Sequence, residues 1–294
     1  MFDVICTGQA VLDCITRGRE PKPYKPNVYR ADTIRLHTGG DAVNESKALA
    51  GMGLKVAIVC GLADDIPGGI ILDELNRIGV DTSRVSRVLH DTPVANILVA
   101  TDGSRMSVNS GATRLAGYQI DPKDVRGTRL LSLASLFRPP LEDFETVKAL
   151  IRAAKAEGAI VCADTKLPLR EALSLDGLSD VLPMIDYLFP NEKEAAYYSG
   201  CSDYGDMARA FTDRGIRNVV IKTGAEGCYV RGVEGEFALP AVPVEQVVDT
   251  TGAGDNFVAG FIAAVLRGEG LKACALAGLQ QAARSITHTG GNEE

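Results

Sequence analysis

Six short apolar runs, each bounded by turn residues, constrain this 294-residue chain more than any other feature. They are Phe2–Cys6, Val56–Cys60, Leu130–Leu136, Ala159–Ala163, Tyr187–Phe189 and Val219–Ile221. Apolar runs without polar alternation read as strands covered on both faces. Between them lie stretches that finish in glycine: Asp41–Met52 before Gly53, Gly69–Ile78 before Gly79, and Leu141–Glu157 before Gly158. A glycine just past the last periodic residue is a helix stop, because it takes the left-handed conformation without steric cost. Strands alternating with helices predict βαβ units, a mostly parallel sheet and helices on both faces. A sheet of that kind places its ligand at the carboxyl ends of the strands.

Two segments break the alternation. Residues 18–38 hold three prolines and then Val28–His37, where apolar and polar residues alternate. Val94–Thr101 and Ser104–Ser110 flank Asp102-Gly103, a hairpin turn signal. Both read as half-exposed strands of a small second sheet, contributed by about 14–38 and 92–112. No low-complexity linker sets them apart, so residues 1–294 are expected to form one domain with this sheet as an excursion.

Charge narrows the function classes. Lys plus Arg is 31 against 38 Asp plus Glu, a net charge of −7. No Lys/Arg run exceeds two residues, so a phosphate-backbone partner is not expected. No apolar stretch approaches membrane-spanning length, and Met1–Cys6 has no basic segment of the secretory type. The expectation is a cytoplasmic protein without a membrane partner. The seven cysteines form no Cys-x-x-Cys pair and read as reduced core residues. The three histidines lie far apart, which disfavours a His/Cys metal site.

The chemistry concentrates in Asp249-Thr250-Thr251-Gly252-Ala253-Gly254-Asp255-Asn256-Phe257, which leads into the apolar, Ala-rich Val258–Leu266. A helix starting there leaves its first amides unpaired and carries partial positive charge. Glycines allow close approach of a ligand, so the run suits an anion such as a phosphate in transfer. Asp255 is placed to take a proton from an attacking hydroxyl. On these residues alone, a tight turn with a capping Asp is the competing reading. A second run, Thr38-Gly39-Gly40-Asp41-Ala42-Val43-Asn44, opens another helix, and Asp13 follows the first strand. Carboxylates and an amide suit a polyhydroxylated ligand; an exposed helix face is the competing reading for Asn44. Other ATP- or nucleotide-binding signatures are absent. The chain has no Gly-Lys dipeptide, no His-Arg-Asp, no Asp-Phe-Gly and no Gly-x-Gly-x-x-Gly after the first strand.

Taken in order, Gly8…Asp13, Gly39-Gly40-x-x-x-Asn44 and Asp249-Thr-x-Gly-Ala-Gly-Asp255 resemble the ribokinase-like (PfkB) carbohydrate kinase family. Gly61–Gly68, Asn191-x-x-Glu194 and Lys222-Thr-Gly224-x-x-Gly227 extend the resemblance from about residue 2 to residue 291. The resemblance implies a ribokinase-like three-layer α/β sandwich with a mostly parallel central sheet and a small β-sheet lid. It implies transfer of the γ-phosphoryl group of ATP, with Mg²⁺, to a hydroxyl of a small carbohydrate. Asp255 would be the base, and the Gly252, Ala253 and Gly254 amides the anion hole. Asp13, Gly39, Gly40, Asp41 and Asn44 would face the sugar. Asn191, Lys222, Thr223, Gly224 and Gly227 would face ATP, Glu194 would hold Mg²⁺ through water, and Gln280–Thr287 would cover the adenine. Asp249 and Thr251 match positions that bind a monovalent cation in many relatives, so K⁺ activation is an open expectation. The lid is expected to pair two copies into a homodimer. A nucleoside kinase with Tyr24, Tyr29 or Tyr118 near the base, and a non-catalytic sugar sensor, are the alternatives. The chain departs from the family's Asp-x-Asn-x-Arg pattern at Asp164-Thr165-Lys166-Leu167-Pro168-Leu169-Arg170. The extra carboxylate of Asp41 is expected to disfavour a sugar acid.

Overall fold

A computed structural model describes residues 1–19, 22, 24–101, 105–110, 115, 117–169 and 174–287. The strands are β1 (Phe2–Thr7), β2 (Val11–Arg19), β3 (Thr33–Gly39), β4 (Val56–Val59), β5 (Val94–Ala100), β6 (Arg105–Asn109), β7 (Thr128–Leu136), β8 (Ile160–Thr165), β9 (Tyr187–Leu188), β10 (Asn218–Lys222), β11 (Cys228–Gly232) and β12 (Gly235–Leu239). The helices are α1 (Asp41–Gly51), α2 (Ile66–Arg77), α3 (Phe144–Ala156), α4 (Glu192–Ser199), α5 (Tyr204–Thr212), α6 (Ala253–Leu266) and α7 (Leu271–Ser285).

Eight strands form one sheet in the order β12-β11-β10-β9-β8-β7-β1-β4. All neighbours from β10 to β4 run parallel, and β11 and β12 close one edge antiparallel. Residues alternate between the faces of a strand, and each face carries its own core. Val4, Ile58, Leu130 and Val220 pack with α1, α2, α6 and α7. Ile5, Val59, Leu131, Val161 and Val219 pack with α3, α4 and α5. The result is a three-layer α/β sandwich, as the alternation of apolar runs and helices predicts.

Capping moves two helix starts. The Asp65 side chain accepts the Gly68 N–H at 2.9 Å with Pro67 behind it, so α2 begins at Ile66 rather than Gly69. Asp143 accepts the Thr146 N–H at 2.8 Å, so α3 begins at Phe144 rather than Leu141.

The small sheet has the order β3-β2-β5-β6 and departs from the sequence reading in three ways. Its first strand starts at Val11, before residue 14. The alternating run becomes strand only at Thr33, because Lys25–Val28 forms a tight turn with Asn27 at φ 63°. Strands β2 and β5 pair in parallel, while β3 and β6 flank them antiparallel. The Asp102-Gly103 turn lies outside the described residues. One face of this sheet holds a small core of Val11, Ile15, Ala95 and Ile97. The other carries Ile34, Leu36, Met106 and Val108, all exposed.

Candidate active site

Parallel strands bring their carboxyl ends to one edge of the large sheet, and two helix N-termini, α1 and α6, open there. The turn into α6 is set by Gly252, which at φ 73° sits in the left-handed region that glycine tolerates. Asp255 lies in the first turn of α6 and is buried. Asn44, one turn into α1, donates its side-chain N–H to Asp255 Oδ2 at 2.8 Å. The sequence reading placed Asn44 on the sugar; the structure directs its amide at the expected base.

Lys166, which follows β8, occupies the centre. Its Nζ lies 3.2 Å from Asp41 Oδ1, 3.6 Å from Asp164 Oδ2 and 3.8 Å from Asp255 Oδ1. Asp41 also accepts from Ser135 Oγ of β7 at 2.7 Å. Lys222, at the end of β10, donates to Asp164 Oδ1 at 2.6 Å. A Cβ on Gly254 would lie 3.5 Å from Lys222 Nζ, so this lysine flanks the α6 N-terminus. Lys166, where the chain departs from the family's Asp-x-Asn-x-Arg pattern, reaches three carboxylates. Arg170 lies outside the described residues.

These contacts separate the two carboxylates. Burial pushes Asp255 up to about 7, and neighbouring Asp41 adds to the rise against the pull of Lys166 and Asn44. Burial acts on Asp41 in the same sense, yet Lys166 and Ser135 hold it below the ordinary carboxylate range. Burial would also lower Lys166, but Asp41, Asp164 and Asp255 keep it well above the usual ammonium range. Two buried carboxylates whose environments push them apart mark a division of roles. Asp255 is poised to exchange a proton near neutrality, while Asp41 stays ionised. Asp41 is paired with Lys166 and Ser135, and Lys166 is shared with Asp164 and Asp255.

The remaining sequence candidates fall around this centre. Asp13 of β2 faces Gly39 of β3, where a Cβ would lie 2.2 Å from Asp13 Oδ2. Gly40, at φ 93°, passes so close to the Gln9 carbonyl that a Cβ would lie 2.5 Å from it. The Ala253 N–H turns back to the Thr250 carbonyl at 3.3 Å, which removes it from the expected three-amide hole. The first-turn amides of Gly254 and Asp255 run along the helix axis towards the crevice. Asn191 and Glu194 form a reciprocal capping box at the start of α4. Burial raises Glu194, with Asp164 adding to the effect. Thr223 is buried, and its N–H closes the β10–β11 turn on the Gly227 carbonyl at 2.9 Å. Gly227 and Gly224 belong to that same turn, and a Cβ on Gly227 would lie 2.0 Å from the Leu239 carbonyl oxygen. Asp249 Oδ1 accepts from the Thr251 N–H at 3.0 Å and Oγ1 at 2.7 Å. The Ile286 carbonyl, at the end of α7, accepts from Val248 N at 2.8 Å, which ties the Gln280–Thr287 segment to the loop before α6. Tyr118 is half-buried and packs against Gly61, whose added Cβ would lie 2.9 Å from the ring.

Four participants escaped the sequence reading. Ser135 and Ser132 lie inside an apolar run, where a hydroxyl reads as core. Glu45 is fully buried and accepts from Ser132 Oγ at 2.6 Å; burial pushes it well above the carboxylate range, with Asp164, Asp255 and Asp41 adding to the rise. Arg17 of β2 reaches Asp249 Oδ2 at 2.5 Å. Only the Glu at i+4 from Asp41 on an otherwise Ala-rich helix face hinted at any of them.

The sequence profile of the pfkB family carbohydrate kinase matches residues 1–294. The chain belongs to the pfkB family. Its enzymes are phosphotransferases that act on hydroxyl groups. Among curated relatives, an uncharacterized sugar kinase of Archaeoglobus fulgidus is 30% identical over 83% of this chain and 96% of that protein. A cytidine kinase of Thermococcus kodakarensis is 30% identical over 83% of this chain and 86% of its own length. Among solved structures, Arabidopsis thaliana ribokinase in complex with ribose and ATP matches with a TM-score of 0.82 at 23% identity. That alignment covers 99% of this chain and 94% of the ribokinase, and it places the fold in the ribokinase-like class. Among the described residues no helix is long and apolar enough to cross a membrane.

Proposed function

We propose that the chain phosphorylates a hydroxyl of a small, polyhydroxylated sugar, taking the γ-phosphoryl group from Mg²⁺·ATP. The observation that carries this reading is the placement of Asp255: buried at an open helix N-terminus, held by Asn44 and Lys166, and tuned to about 7. A group with that affinity accepts a proton at neutral pH and is restrained in one orientation.

Asp255 removes the acceptor proton as the new O–P bond forms, and ADP leaves as the bond from the γ-phosphorus to its bridging oxygen breaks. Charge on the transferring group meets the Gly254 and Asp255 amides, the α6 dipole, Lys222 and Lys166. Asp13, Gly39 and Gly40 shape the acceptor side; the glycines leave room there that any side chain would fill. The Lys222–Gly227 turn and the end of α7 bound the nucleotide side. Both oxygens of Glu194 are engaged, by Asn191 and Thr165, so Glu194 would hold Mg²⁺ through water. Bound Mg²⁺ supplies neutralisation of phosphate charge. The small sheet acts as a lid that excludes water as a rival acceptor. Its apolar face of Ile34, Leu36, Met106 and Val108 supports pairing with a second copy. A cytoplasmic location is compatible with the use of ATP.

The test is ADP release with ATP and Mg²⁺ across pentoses, ketohexoses, polyols, sugar acids and nucleosides. Release that depends on a free sugar supports the reading. Release with nucleosides alone moves the assignment to a nucleoside kinase. Silence across the panel, with a sugar still raising Tm, moves it to a sensor.

A further inference from the structure

The buried carboxylate of Asp249 faces a guanidinium. Asp249 belongs to the loop that runs into Gly252 and the α6 N-terminus, and its side chain is 5% exposed. One oxygen, Oδ1, orients the Thr251 N–H and hydroxyl. The other, Oδ2, takes Arg17 Nη2 at 2.5 Å. A buried carboxylate this far from water needs a cationic partner, and a charge-assisted contact at this distance is among the stronger ones available.

Arg17 comes from the small sheet, and a second observation explains how it is aimed. The β2–β5 register shifts between Arg17 and Arg19. Gly18 stands at that shift with φ 69°, and a Cβ there would lie 1.9 Å from Asp32 Oδ2. The Asp32 N–H meanwhile bonds the Arg17 carbonyl at 2.9 Å. Arg17 itself pairs in regular register with Thr33 and Val99 just before the shift, so strand alternation puts it on the face of Asp13 and Ile15, and from that face its guanidinium reaches the loop of the large sheet. Arg17 Nε is buried without a hydrogen-bond partner, while the side chain as a whole is 32% exposed and its Nη2 carries the pair with Asp249.

We propose that Arg17 is a positioning residue that holds Asp249, and through it the turn before the Gly254 and Asp255 amides, in the place that a monovalent cation would otherwise fill. Asp249 and Thr251 therefore act as an internal ion-pair site, and turnover does not depend on K⁺. The same contact ties the small sheet to the anion-binding turn. The proposal rests on the kinase reading for its effect on turnover but not for its effect on the Asp249 site.

The experiment uses the full chain, wild type and Arg17→Ala, in KCl or tetramethylammonium chloride at equal ionic strength. Tm without substrates reads the site alone. We expect wild type to give the same Tm in both salts and Arg17→Ala to be stabilised by K⁺ specifically. ADP release then reads the reaction. Wild type turns over equally in both salts, while Arg17→Ala in tetramethylammonium loses about 10- to 100-fold in kcat, the range for a displaced catalytic group, with acceptor KM little changed. KCl restores part of that loss. A K⁺-specific rise in Tm or in turnover for wild type overturns the proposal, as does an Arg17→Ala variant indifferent to K⁺ in both readouts. A K⁺-specific Tm shift confined to the variant, with no turnover by either protein, leaves Arg17 in place and overturns the kinase reading instead.

Discussion

In the large sheet Val4, Ile58, Leu131, Val161 and Val220 are fully covered, whereas in the small sheet Ile34, Leu36, Met106 and Val108 are each more than half exposed. The large sheet has helices on both faces and hides its charges only where its strands end. The small sheet has one thin core, and Asp13 and Arg17 lie on the same face of its strand β2 as Ile15. Burial on both faces therefore backs the cluster of Asp41, Asp255 and Lys166, while the small sheet is covered on one face only.

The strongest way to break this division is to change the reacting carboxylate. Asp255→Asn is expected to lower kcat by about 10²–10⁴, the range for losing a general base, while the Tm rise produced by the sugar persists. The same variant has a stability signature. A carboxylate whose folded pKa lies near 7, above its unfolded value, favours the fold at low pH and loses that contribution as pH rises through 7. Above pH 7 the buried ionised Asp255 opposes folding, so the Asn variant is expected to match or exceed wild-type Tm at pH 8. A variant that keeps full activity, or melts well below wild type at pH 8, contradicts the account.

Lys166→Met comes next. It leaves Asp41, Asp164 and Asp255 without their shared cation, and a drop of about 10² in kcat is expected. Normal turnover shows that Lys222 and the helix dipole suffice.

Two core substitutions sharpen the contrast between the sheets. Phe261 is fully buried among Phe189 and Phe257, and Phe261→Ala is expected to cost about 3–5 kcal/mol in denaturant unfolding. Leu36→Ala, on the exposed face, is expected to stay within about 0.5 kcal/mol for the isolated subunit. The smallest structural effect with the clearest readout is Leu36→Glu. It places a charge on the proposed pairing face and is expected to convert a dimer to a monomer in sedimentation, with the subunit fold intact. A wild-type protein that sediments as a monomer removes the basis for that role.

The large sheet was readable because its strands are buried on both faces, which forces unbroken apolar runs such as Val56–Val59. The glycine-rich entry to α6 was readable for a related reason, since a left-handed residue before a helix and a carboxylate in its first turn leave a local mark. Strand β2 was readable only in part: its start at Val11 was missed. Its inward face mixes Val11 and Ile15 with Asp13 and Arg17, so no clean period of two appears, and the Gly18 bulge interrupts what remains. The electrostatic centre was half-legible. Asp255, Asp41 and Lys222 lie in recognisable runs, but their partners Lys166 and Ser135 are set by tertiary proximity between distant strand ends. The setting of Asp41 was hidden for that reason: in sequence it stands alone, and in the fold it shares Lys166 with Asp164 and Asp255.

The central claim is that this matched cluster, with Lys166 at its middle, makes Asp255 a base that works at neutral pH. The measurement that tests it most directly is kcat/KM against pH for wild type and Lys166→Met with a sugar the wild type accepts. Asp255 must be ionised to act, so the wild-type profile is predicted to rise with pH through an apparent pKa near 7. Removing the neighbouring cation favours the neutral carboxyl, so the limb is predicted to move to higher pH in the variant. A wild-type profile flat from about pH 5 to 9, or a limb at the same pH in both proteins, would contradict the claim.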